Sequence, residues 1–231
     1  GGRIGSATAR ALFMEGAKLI LCDISEKNLS IISNELAQID NSRSSVLETL
    51  VDLRQGLMMY HLWGRLGWND ILQRYRRSIL GPLWLTISMA VLIGALGLLY
   101  SKLFKVDVAE YIPFLAIGFI LWQLISGILL DGCNVFVHSE GVIKQIKLPL
   151  SLHVYRILWR NFLTLLHNSV VVVFVLLYFN IGVNSDTLLA LVGIFFIVIN
   201  GGWFSFLIGM LCARYRDLNP TIASLVTLSF F

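Results

Sequence analysis

Residues 74–89 read RYRRSILGPLWLTISM. Arg74, Arg76 and Arg77 crowd into four positions, and then no charge appears from Ser78 to Ser101, a run of 24 residues. A helix rising 1.5 Å per residue needs about 20 mostly apolar residues to cross a hydrocarbon core of about 30 Å. A guanidinium group is costly inside that core, so the stretch marks the place where a chain leaves water and enters a membrane. Pro82 suits the first turn of the span, where its missing N–H costs little.

The pattern repeats along the chain. Uncharged runs cover Tyr111–Leu130, Asn161–Ser185 and Thr187–Ala213, of 20, 25 and 27 residues. Spans are expected at about 79–103, 111–130, 155–179 and 187–212, with a fifth begun at 221–231. Composition agrees: 57% of the 231 residues are hydrophobic and 14% charged, with a mean hydropathy of +0.77. Soluble domains carry about 25% charged residues. The expected fold class is an all-α integral membrane protein with four complete transmembrane helices and the start of a fifth.

Basic residues orient it. Arg65, Arg74, Arg76 and Arg77 precede the first run; Lys144, Lys147, Arg156 and Arg160 lie between the second and third; Arg214 and Arg216 follow the fourth. The alternate loops hold only Lys102 and Lys105. Ten against two is a positive-inside bias. It predicts a cytoplasmic N-terminal side, 131–160 connection and 214–220 loop, with the loops near 105–110 and 180–186 outside. The net charge of +4 is spent on this topology, so no nucleic-acid partner is expected.

Ahead of the first run, GWNDILQRYRRSI (67–79) places Trp68, Ile71, Leu72, Tyr75 and Ile79 on one helical face. Asp70, Gln73, Arg74, Arg76 and Arg77 fall on the other. This predicts an interfacial amphipathic helix with its arginines toward lipid phosphates and water. Arg156 and Arg160, one turn apart, are expected to meet lipid headgroups or a polyanionic substrate.

Cys22, Cys133 and Cys212 are far apart in sequence, and the four histidines are scattered without HExxH spacing. They read as ordinary structural residues, and no metal site is expected.

The opening GGRIGSATARALFMEGAKLILCD (1–23) has a different character. A glycine turn before a helix suits a pyrophosphate, and an acidic residue at the end of the next strand suits a ribose. With VLETLVDLRQ (46–55), residues 1–54 resemble the start of a short-chain dehydrogenase/reductase, a partial α/β Rossmann-like fragment. That resemblance implies Gly2, Gly5 and Asp23 as cofactor residues, a second helix from about Ser25 and a third strand ending near Asp52. The family's Tyr-x-x-x-Lys pair does not occur. Two strands and two helices also bury too little apolar surface to offset their ordering entropy. Gly2, Gly5 and Asp23 are therefore expected to be vestigial, and no NAD-dependent oxidation is expected.

From about Met59 the chain resembles the permease subunits of ABC exporters for polysaccharides and lipopolysaccharide O-antigen. The resemblance rests on RYRRSILGPLW, on YIPFLAIGFILWQLISG, on EGVIKQIKLPLSLHVYRILWRN and on ARYRDLNP, in that order. It implies a homodimer in the bacterial inner membrane, paired with a cytoplasmic ATPase subunit that binds the ATP, with polysaccharide or glycolipid as substrate. The permease itself is expected to hold no cofactor, and it has no GxxxxGK[ST] loop. The resemblance further implies a short coupling helix near 136–146, with Glu140, Lys144 and Gln145 as its polar residues, and a cytoplasmic loop bearing Arg214, Arg216 and Asp217. Six spans are implied, which would leave the fifth cut midway at Phe231. Tyr100, Phe104, Tyr111, Phe114, Tyr178 and Phe179 lie near the expected outer ends, as interfacial anchors or as sugar contacts. Export of a drug or other small molecule shares the same architecture, and a membrane-anchored NAD-dependent oxidoreductase is the alternative of another class.

Overall fold

A computed structural model describes residues 46–76, 78–182 and 186–230. The chain divides into two compact units, Gly1–Arg54 and Gln55–Phe231. Of the first unit, residues 46–54 are described, and they are helical. The strand expected to end near Asp52 is therefore a helix, and no strand occurs among the described residues. Gly2, Gly5 and Asp23 lie outside them.

The second unit is all-helical. A 15-residue helix α1 (Tyr60–Arg74) precedes α2 (Leu83–Phe104), α3 (Val108–Gln145), α4 (Leu150–Tyr178), α5 (Asp186–Arg214) and the short α6 (Leu218–Leu228). Helices α2 to α5 each have the length and hydropathy to cross a membrane. Their outer surfaces are apolar: Leu98, Phe114, Phe174, Phe195 and Trp203 are all exposed. The polar side chains Ser139, Ser151, Asn161, Asn168 and Ser205 are buried instead. That inversion suits a solvent of lipid tails, where polar groups must find partners inside the protein.

Sharp turns separate the helices. Gly81 has φ +56°, a left-handed conformation that glycine adopts without a Cβ clash, and Pro82 then caps α2. At the far end Lys105 closes α2 in the left-handed region, Ser101 Oγ donates to the Val106 carbonyl at 2.8 Å, and Asp107 caps α3 by accepting from the Ala109 N–H at 3.1 Å.

Helix α3 is the central element, packing against α2, α4, α5 and α6. Its 38 residues extend about 57 Å, nearly twice the hydrocarbon thickness. It therefore runs on past the uncharged segment that ends at Leu130. The separate coupling helix expected at 136–146 is instead the last turns of α3, and only residues 146–149 connect it to α4. Pro149 caps α4, and the Leu148 N–H donates to the Ile146 carbonyl at 3.0 Å.

The α3–α5 crossing uses small residues. A Cβ on Gly132 would lie 2.8 Å from Ser205 Oγ, and one on Gly209 would lie 2.9 Å from the Gly132 carbonyl oxygen. Beside this crossing Cys133 and Cys212 share one buried apolar cluster with Ile208. Two cysteines remote in sequence are thus neighbours in space, and both are free thiols. Helix α6 returns along α3: Asn219 Nδ2 donates to Asn134 Oδ1 at 2.6 Å, and the Phe230 ring packs 5.3 Å from that of Phe119.

Candidate functional site

The helix expected ahead of the first span is present, but a different face is turned inward. Of the predicted apolar stripe, Ile71 is buried while Trp68 and Leu72 are about two-fifths exposed. The helix ends at Arg74, and Ile79 lies beyond it in full exposure. The face packed on α4 includes Trp63, Gly67 and Asp70, with Trp68 at its edge against His167. Trp63 meets Trp159 edge-on at 5.8 Å, and Gly67 lets the α1 backbone approach the Arg156 carbonyl.

Asp70, expected on the solvated face, explains the rotation. Its carboxylate accepts from Arg156 through two nitrogens, Nε at 2.7 Å and Nη2. Arg160 Nη1 stands 3.5 Å from the same carboxylate, while its Nη2 pairs with Asp131 Oδ2 on α3 at 2.7 Å. Asn161 Nδ2 donates to that Asp131 oxygen at 2.7 Å. Two carboxylates and two guanidinium groups thus form a neutral network joining α1, α3 and α4. The Asp70 side chain is only 12% exposed, and its hydrogen-bonding capacity is met by these two arginines. The arginines expected to face lipid or substrate are engaged inside the protein. About two turns further along the seam Gln123 Oε1 accepts from Asn168 Nδ2 at 2.5 Å.

A cavity of about 180 Å³ opens beside the network. Helix α1 contributes Asp70, Ile71, Arg74 and, just past its end, Tyr75; α2 contributes Leu85. The rest of the wall is Gln123, Gly127, Leu130 and Asp131 of α3 with Arg160, Asn161 and Thr164 of α4. Arg74 is exposed and makes no ion pair among the described residues. Arg76 is exposed too, and Arg77 lies outside the described residues.

The residues expected to couple to an ATPase lie together near the end of α3. Glu140 and Lys144 pair at 2.5 Å, one turn apart and exposed, and Gln145 is the last residue of the helix. This end lies well past the hydrocarbon segment. There the Lys144 ammonium holds the Glu140 carboxyl below the usual carboxylate range, with a smaller contribution from Arg216. The packing of Cys133 with Cys212 and of Gly132 with Gly209 brings the 214–217 loop to the same end as the α3 terminus. In the loop, the Arg214 guanidinium sits 5.6 Å over the Tyr215 ring, and Arg216 and Asp217 are exposed.

Asp70, Asp131, Asn161, Gln123 and Asn168 were not singled out as site residues from sequence. A signal existed: Asp131 ends one uncharged run where Arg160 and Asn161 begin another, which places opposite charges at one depth. Among the described residues no three potential metal ligands cluster.

Four apolar crossings with paired charges at one end define a multi-pass integral membrane protein. The family model of the ABC-2 type transporter matches residues 61–231, and the chain belongs to that family. It is a transmembrane subunit of an ABC transporter, a transport component that pairs with an ATP-binding subunit. No curated protein and no solved structure matches the chain.

Proposed function

We propose that this chain is the permease subunit of an ATP-driven exporter that moves polysaccharide or lipid-linked O-antigen across the bacterial inner membrane. The subunit works as a homodimer with its N-terminal side in the cytoplasm. It holds no cofactor of its own, the ATP being bound by its partner, and residues 1–54 contribute no dehydrogenase activity. The observation that carries the reading is α3 itself. Its spanning part continues as one rigid rod into a charged end at Glu140, Lys144 and Gln145, a shape suited to receive a push from an ATPase. The basic bias of the same end favours the cytoplasm. The glycan assignment rests on the ordered motifs around RYRRSILGPLW and ARYRDLNP, and the exposed rings of Phe104, Phe114 and Tyr178 suit contact with sugars or with the interface.

Disruption of the gene in its own host tests this. Loss of surface glycan with intracellular accumulation of the polymer is expected, and restoring the gene should reverse it. Unchanged surface glycan with altered sensitivity to small toxic compounds would favour a drug exporter instead.

A further inference from the structure

The 180 Å³ cavity sits where two uncharged runs change character, beside the start of a third helix. Leu85 is in the first turn of α2, Asp131 follows the last uncharged residue of α3, and Asn161 begins the uncharged run of α4. That level is the boundary between headgroups and hydrocarbon. Along α3 the cavity reaches from Asp131 to Gln123, eight residues or about 12 Å inward.

Its charge is unbalanced in one direction. Asp70 and Asp131 are neutralised by Arg156 and Arg160, which leaves Arg74 at the wall as a cation with no ion pair among the described residues. Deeper in, the Gln123 amide oxygen is occupied by Asn168. The Arg74 cation at that boundary matches the phosphodiester of a phosphoglycerol headgroup. The volume equals about six waters, enough for that phosphoglycerol part and too little for the acyl chains, which stay in the bilayer.

We propose that this cavity binds the phosphoglycerol headgroup region of an anionic bilayer phospholipid, with Arg74 on the phosphate. The bound lipid wedges the end of α1 against α2 and α4. The inference rests on the membrane fold and not on the exported substrate, so it stands or falls separately from the glycan assignment.

The test uses the purified chain in nanodiscs of equal phosphatidylglycerol and phosphatidylcholine with identical acyl chains, and counts retained lipid by native mass spectrometry. Retention of one phosphatidylglycerol at about tenfold preference is expected, the scale of one charge-assisted hydrogen bond. Arg74→Gln should abolish the preference and Arg74→Lys should keep most of it. Thr164→Leu, which fills the cavity without altering charge, should abolish it too. Equal retention of both lipids by the unaltered chain would overturn the proposal. So would an unchanged preference in Arg74→Gln, or in Thr164→Leu with unaltered thermal stability. Displacement by millimolar soluble glycerol 3-phosphate would identify a free phosphate as the ligand and overturn the lipid.

Discussion

Arg160 is the side chain on which three helices converge. Its planar guanidinium serves Asp70 on α1 and Asp131 on α3 from one position on α4. A lysine ammonium has no fork to bridge two separated carboxylates. Removing one member of such a pair leaves the other charge uncompensated in a poorly hydrated place, at about 3 kcal/mol when burial is nearly complete. Asp70→Ala should therefore lower the thermal unfolding temperature in detergent clearly, and Asp70→Ala/Arg156→Met together should lower it less than the single change. A double variant as damaged as the sum of the two singles would show that the pair is not coupled. Asp70 also shows where sequence periodicity misled. An aspartate among arginines and glutamine reads as part of a wet face, and its partners lie 86 and 90 residues away, beyond any local pattern.

At the scale of elements, span existence was legible because uncharged length is a direct physical requirement of the bilayer. Helix ends were not, because a charge ends solubility in hydrocarbon but does not end a helix. Asp131 closes the uncharged run of α3, yet its pairing with Arg160 and Asn161 lets the helix continue to Gln145. The turn at Gly81 was likewise hidden in a stretch that reads as one helix passing into the next. The packing between elements yields a contrast in glycines. At Gly209 a Cβ meets the Gly132 backbone oxygen, whereas at Gly141 nothing lies within 4 Å. Gly209→Val should separate α3 from α5 and destabilise the fold by about 2 kcal/mol or more, the scale of an overpacked core. Gly141→Ala should stabilise by about 0.5–1 kcal/mol through helix propensity. Thermal unfolding of the two variants checks both signs.

In the topology proposed for the whole molecule, the charged ends of α3 and α5 form the cytoplasmic face. Val106, in the turn between α2 and α3, is exposed at the opposite end of α3 from Gln145. With Cys22, Cys133 and Cys212 replaced by serine or alanine, Val106→Cys should react with an impermeant maleimide on intact cells. Gln145→Cys should react only after lysis. The reverse pattern would invert the topology drawn from the arginines.

In the proposed mechanism this permease receives the work of ATP hydrolysis through the end of α3. A photocrosslinking amino acid placed at Gln145 measures it directly in cells that also hold the partner ATPase. A covalent adduct between the permease and the ATPase is expected from position 145, weakened when Glu140→Lys and Lys144→Glu are introduced together, and none from position 106. An ATPase adduct from position 106 with none from 145 would contradict it.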